Sequence, residues 1–135
     1  MPQTQRSASA PSSATLRDSV LVVDDDADIR AFLEAALADA GYEVRTAADG
    51  VEALGALDGW RPGAVLLDLR LPRLDGWGVC ERLSARPDLD GVAVVAMSAS
   101  EHLRRPFRGL QPAAALAKPL DVPELLATLW VATNP

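Results

Sequence analysis

The sequence predicts an open, doubly wound α/β sheet built from βα units. Two observations carry this prediction. Short apolar runs of strand length, such as Val20-Leu21-Val22-Val23 and Ala64-Val65-Leu66-Leu67, alternate with longer segments whose apolar residues recur at helical spacing. Five such alternations follow one another, and strict βα alternation means parallel strands, right-handed crossovers and helices on both faces. Five strands are too few to close an eight-stranded barrel, which leaves an open sheet. At 135 residues the chain is sized for one domain.

The elements follow in order. Residues 1–17 hold Ser, Ala, Pro, Gln and Thr with two arginines, and are expected to form a flexible tail ahead of a domain over 18–133. Val20 to Val23 is wholly apolar, as a strand buried on both faces requires. Ile29, Phe32, Leu33, Ala36, Leu37 and Ala40 line one helix face, with Asp25 or Asp26 as cap and Gly41 as stop. Glu43 to Ala47 reads as a weaker strand near an edge. Val51, Leu54 and Leu57 predict a helix ending before Gly59. Ala64 to Leu67 is the next buried strand, and Gly76 to about Ala85 a helix stopped by Pro87. Val92 to Met97 is a further apolar strand. Residues 100–110 carry a fourth helical segment, interrupted by Pro106 and Gly109. Ala113 to Ala117 is a short strand. Val122, Leu125, Leu126 and Leu129 then repeat at helical spacing, with Pro123 accepted in the first turn.

Charge and composition narrow the function. The formal net charge of −6 argues against binding nucleic acid or a membrane surface directly. No apolar run approaches the ~20 residues of a membrane span, and the first residues lack the apolar stretch of a secretory signal. A cytoplasmic location is the expectation. Cys80 is the one cysteine, so neither an intramolecular disulfide nor a multi-cysteine metal site can form. The periodic pattern ends near Ala132, so a stand-alone domain is expected, with a fragment of a longer protein as the alternative.

In open parallel sheets chemistry gathers beyond the carboxyl ends of the strands. Those ends carry Asp24-Asp25-Asp26, Asp68, Ser98 and Lys118-Pro119. Carboxylates about 4 Å apart repel by about 4 kcal/mol at an effective dielectric near 20. Such a group needs cations. Lys118 supplies one charge, and an all-oxygen ligand set favours Mg²⁺ or Mn²⁺ over zinc for the rest. A carboxylate beside such an ion is suited to phosphoryl transfer through an aspartyl phosphate. Lys118 is the only lysine in a chain with twelve arginines, consistent with a need for a compact point charge.

The motifs Val22-Val23-Asp24-Asp25-Asp26, Leu67 through Gly76, Met97-Ser98-Ala99 and Lys118-Pro119 together resemble the response regulator receiver domains of two-component signalling. The resemblance spans residues 19 to about 132. It implies a flavodoxin-like sheet of order 2-1-3-4-5 with five helices. It further implies Asp68 as phosphoacceptor and Mg²⁺ ligated by Asp25, Asp68 and the backbone carbonyl of Arg70, with Asp24 acting through a metal-bound water. Ser98 and Lys118 would contact phosphoryl oxygens, and Lys118–Pro119 would be cis. A histidine kinase or phosphotransfer protein would be the donor, and an unknown output protein the reader. The chain would be a signalling phosphoacceptor that catalyses only its own phosphorylation and dephosphorylation; a homodimer is left open. A phosphate shuttle or sink, or a scaffold with weak switching, is the alternative role. Two departures stand out. Ala115 occupies a position where many relatives carry an aromatic residue, and the stretch from Ser98 to Lys118 is short, so its helix is expected to be short or irregular.

Two other chemistries fit less well. A haloacid-dehalogenase-type hydrolase wants a second Asp two residues beyond the nucleophile, where this chain has Arg70. A flavin or nucleotide module wants a Gly- or Ser/Thr-rich phosphate loop after the first strand, and Asp24-Asp25-Asp26 would repel that phosphate.

Overall fold

A computed structural model describes residues 18–134. The tail expected over 1–17 lies outside the described residues. Five strands, β1 (Ser19–Val23), β2 (Glu43–Ala47), β3 (Ala64–Asp68), β4 (Ala93–Ser98) and β5 (Ala114–Ala117), form one sheet in the order β2-β1-β3-β4-β5. Every pairing is parallel, with Val23 beside Leu67 and Asp68 beside Met97. That register brings the carboxyl ends of β1, β3, β4 and β5 to one rim.

Four α-helices cover the sheet: α1 (Ala27–Asp39), α2 (Gly50–Ala56), α3 (Gly76–Leu83) and α4 (Val122–Thr133). Strand side chains alternate between two cores. Val20, Val22, Leu66, Val95 and Met97 pack with Leu33 and Leu37 of α1 and Leu125 and Leu129 of α4. Leu21, Val23, Val65, Leu67 and Val94 pack with Ala53 of α2, the adjoining Leu57, and Val79, Cys80 and Leu83 of α3. Each side chain points opposite to its neighbour because the strand period is two, so an unbroken apolar run feeds both cores. Leu66 is fully buried at the middle of the central strand. Leu66→Ala is expected to lower stability by about 3 kcal/mol, read as a reduced urea midpoint with an unchanged slope.

The five helices expected are four among the described residues. The segment after β4 makes only a 3₁₀ turn, Ser100–Arg104, and then runs irregularly to β5. Pro106 disfavours helical geometry at Arg105, which is extended at ψ 129°, and Gly109 sits at φ +81°. Hydrophobic anchors hold the segment instead. Phe107 lies 6.2 Å from Trp77, ring centroid to centroid, and Arg105 stacks 4.2 Å over the Trp77 ring.

Smaller differences have equally local causes. Asp26, not Asp25, caps α1, accepting from the backbone N–H groups of Asp28 and Ile29. Phe32, expected on the buried face of α1, is 57% exposed, and Trp130 is exposed on α4. Both lie off the stripe that the sheet covers. Arg105, in the stretch expected to be helical, instead lies over the Trp77 ring. Cys80 is buried, and burial pushes its thiol up to about 12, so it is inert as a nucleophile near neutrality.

Candidate functional site

The rim holds three carboxylates and one ammonium. Asp24 follows the last residue of β1 and is fully buried; Asp68 ends β3 and is 4% exposed. Asp25 is exposed beside them. One carboxylate oxygen from each of Asp24, Asp25 and Asp68 lies within 4.8 Å of the others. The Lys118 Nζ, reaching across from the end of β5, donates to Asp24 Oδ2 at 2.8 Å and to Asp68 Oδ2 at 3.1 Å. The remaining oxygens are held by the backbone: Asp26 N–H donates to Asp24 Oδ1 at 2.9 Å, and Arg70 N–H to Asp68 Oδ1 at 3.1 Å.

These contacts depend on local devices. Arg30 donates to the Asp24 carbonyl at 2.7 Å, tying the first turn of α1 to the end of β1. Gly76 brings the start of α3 against the loop after Asp68; a Cβ there would lie 2.7 Å from Leu69 Cα and 2.8 Å from the Asp68 carbonyl oxygen. Arg73 takes the left-handed conformation at φ +68° and pairs with Asp49, the cap of α2, at 2.8 Å. The Lys118 N–H donates to the Ser98 carbonyl at 2.9 Å, and Lys118–Pro119 is cis.

The electrostatics follow from this packing. Burial raises the Asp68 carboxyl above the ordinary carboxylate range, and the negative charge of Asp24 adds to the rise. The Arg70 N–H and Lys118 oppose it without cancelling it. Burial alone would pull Lys118 down, but its bonds to Asp24 and Asp68 outweigh that and raise it. The two directions are compatible: Lys118 registers the ion pair, while Asp68 registers desolvation and a like charge. Three carboxylates against one ammonium leave a surplus of two negative charges. Oxygen donors carrying that surplus fit a hard divalent cation.

Against known proteins, the profile of the response regulator receiver domain matches residues 20–129. The chain belongs to that family. Response regulator MprA from Mycobacterium sp. (strain KMS) is 41% identical over 112 residues, covering 82% of this chain and 48% of that protein. The chain thus spans about half the length of that relative. Among solved structures, the receiver domain of the sensor histidine kinase PA1611 from Pseudomonas aeruginosa, described with a magnesium ion coordinated in its active-site cleft, is 29% identical at a TM-score of 0.81. That match covers 87% of this chain and 98% of the other. The chemotaxis regulator CheY4 of Vibrio cholerae is 29% identical at a TM-score of 0.78, covering 84% and 97%.

The receiver domain brings Asp24, Asp25, Asp68 and Lys118 together as the strand ends predicted. Ser98 is 2% exposed on the same rim. Its hydroxyl is engaged by a residue the sequence reading assigned no part, His102, whose Nδ1 is 3.4 Å from Ser98 Oγ. His102 Nε2 lies 2.8 Å from Arg70 Nη1. The one available signal was that the only histidine follows Ser98 by a single helical turn. Arg30 was equally unmarked, because an arginine in an acidic first turn has many roles. Ala115 is exposed, so no ring occupies that place on β5. Trp77, Leu69 and Ala96 form a small buried cluster with Leu103 and Phe107 packed on it. No helix among the described residues is long and apolar enough to cross a membrane.

Proposed function

We propose that this receiver domain accepts a phosphoryl group on Asp68 from a histidine kinase or phosphotransfer protein, and signals by contact with an output protein. The observation that carries this is the placement of Asp68. It is a buried carboxylate at the end of the central strand, shared by one ammonium and two further acids. Mg²⁺ (or Mn²⁺) would be held by Asp25, Asp68 and the backbone carbonyl of Arg70, with Asp24 acting through a bound water. The ion, when bound, neutralises charge developing on the phosphoryl oxygens. Lys118 holds one Asp68 oxygen and supplies a fixed positive charge beside the acceptor. In the transfer, an Asp68 oxygen forms a bond to phosphorus, the P–N bond of the donor phosphohistidine breaks, and its electron pair stays on the imidazole. Ser98 stands ready to donate to a phosphoryl oxygen. The test is transfer of label from a panel of phosphorylated histidine phosphotransfer proteins, with transfer to wild type from at least one expected.

Metal binding is expected to raise the melting temperature in proportion to the logarithm of Mg²⁺ concentration once sites fill. Asp25→Ala is expected to weaken the affinity by about tenfold or more. Asp25 is exposed, so the variant should fold normally. An unchanged affinity moves the ion elsewhere.

A weak or local switch is the reading favoured by Ala115 and by the irregular segment after β4. A phosphoryl group shifts an equilibrium only through contacts that differ between two states, and Ala115 has no ring to add one. Amide shifts on adding beryllofluoride with Mg²⁺ are expected to concentrate over residues 98–105 and fade by 113–117. Equal shifts on β5 and α4 would overturn this, and would point to Phe107 as the side chain that carries the signal.

A further inference from the structure

Resting on Asp25, Asp68 and the Arg70 carbonyl as the Mg²⁺ ligands, we infer that Arg73 and Asp49 form a latch that raises the affinity for the ion. Their ion pair holds the loop that carries the Arg70 carbonyl in a strained turn, which the loop would otherwise leave.

The turn is centred on Arg73. The Leu74 N–H donates to the Pro72 carbonyl at 2.7 Å, closing a three-residue γ-turn. With its central residue at φ +68°, this is the rarer and strained form of that turn. A residue with a Cβ is disfavoured in the left-handed region, whereas glycine enters it freely. Arginine there needs a contact made only in this conformation, and Asp49 supplies it. The Asp49 Oδ2 accepts from Arg73 Nε at 3.0 Å and from Nη2 at 2.8 Å. Its Oδ1 accepts from the Glu52 N–H at 2.8 Å, capping α2, so the carboxylate is anchored to a helix before it meets the arginine. The Arg73 side chain is 62% exposed, which keeps the pair modest in strength.

The latch reaches the site through a short, closed loop. Gly50, the first residue of α2, sits so close to the loop that a Cβ on it would collide with the Leu74 carbonyl. The Gly76 N–H donates to the Leu69 carbonyl at 3.0 Å, which pinches the loop between them shut. Near its start, the Arg70 N–H holds Asp68 Oδ1. Arg70 and Arg73 lie within this one closed loop, so a rotation of the Arg73 backbone out of the left-handed region displaces the Arg70 peptide. Mg²⁺ demands near-ideal ligand geometry, and a displaced ligand lowers its affinity. Arg73 and Asp49 are thus positioning residues for the metal site.

Charge alone would act differently. Through space, Arg73 repels a divalent cation and Asp49 attracts it. Losing the arginine would then tighten binding, and losing the aspartate would loosen it. The latch requires a loss in both cases.

The test is titration of the whole chain with Mg²⁺, followed by amide shifts, with urea unfolding to check the fold of each variant. Arg73→Ala and Asp49→Asn are each expected to raise the Kd about threefold, the order of one exposed ion pair. Asparagine caps a helix as well as aspartate does, so Asp49→Asn leaves α2 in place. Arg73→Gly also lacks the pair, yet is expected to bind about as tightly as wild type, because glycine enters the turn without strain. Adding Asp49→Asn to Arg73→Gly is expected to change little, since no latch is left to break. Unchanged or tighter binding by Arg73→Ala, an Arg73→Gly variant as weak as Arg73→Ala, or an undiminished effect of Asp49→Asn in the glycine background would each overturn the latch. A wild-type chain whose rim amides do not respond to Mg²⁺ overturns the metal reading itself, and the latch with it.

Discussion

Asp68→Asn is expected to abolish phosphoryl incorporation while leaving the metal-free fold at least as stable as wild type. The amide oxygen is a poor nucleophile, and neither neighbouring carboxylate is placed to replace it. Asp25 is exposed, and Asp24 is enclosed by Lys118 and the Asp26 N–H. Stability separates loss of the acceptor from loss of the fold. Asp68 is buried beside Asp24, and burial already raises its carboxyl in the folded state. A raised folded value means the native protein binds the proton more tightly than the unfolded chain, so this group's contribution falls as pH rises above the ordinary carboxylate range. The asparagine removes that penalty and one like-charge contact. Wild type without metal should therefore lose stability between acidic and neutral pH more steeply than the variant, a difference read by urea titration across that range. Mass spectrometry after incubation with phosphodonor and Mg²⁺ should show one added phosphoryl group in wild type and none in the variant. Label on the variant at the wild-type level would remove Asp68 from the acceptor role.

Lys118→Met carries the second large effect. One preorganised positive donor beside a phosphoryl group contributes about 100-fold or more in rate, so phosphorylation is expected to slow by that order. Arg is not expected to rescue it, because a planar five-donor fork does not occupy the place of a compact ammonium between two carboxylates. The variant also leaves two buried acids facing each other. We expect a loss of about 2 kcal/mol at neutral pH, less than a fully buried broken pair because the lysine is a quarter exposed. That loss should shrink as pH falls and Asp68, whose carboxyl burial already raises, takes up its proton. In wild type the sign on lysine is the reverse of the acid's. Its folded value is raised, so its stabilisation is present below the ordinary lysine range and is lost as pH rises through the folded value. A variant that phosphorylates at the wild-type rate would show that Asp68 needs no fixed charge from β5.

Much of the site was legible because its residues sit at strand ends. Once Val20 to Val23 and Ala64 to Leu67 are read as adjacent parallel strands, the next residues, Asp24 and Asp68, must emerge on one rim. Ser98 and Lys118 follow by the same rule. His102 was not legible, because its partners Arg70, on the loop after β3, and Ser98, the last residue of β4, meet only when β3 and β4 pair. The pairing of Arg73 with Asp49 and the stacking of Arg105 on Trp77 were hidden for the same reason. Each joins residues whose separation in sequence carries no period.

By itself, the sequence determined the alternation of elements, the two-sided burial of the central strands and the chemical character of the rim, since these rest on local period and on which residue follows a strand. Only the tertiary structure decided what fills the space between β4 and β5. Helical spacing alone would permit a helix over 100–110. Pro106 and Gly109 weaken it, and the Trp77 ring offers Arg105 and Phe107 a better place outside helical geometry. The tertiary structure also decided the charge state of the pocket. A carboxylate's affinity for its proton depends on burial and on neighbours brought together from the ends of several strands, and no local window of residues contains that information.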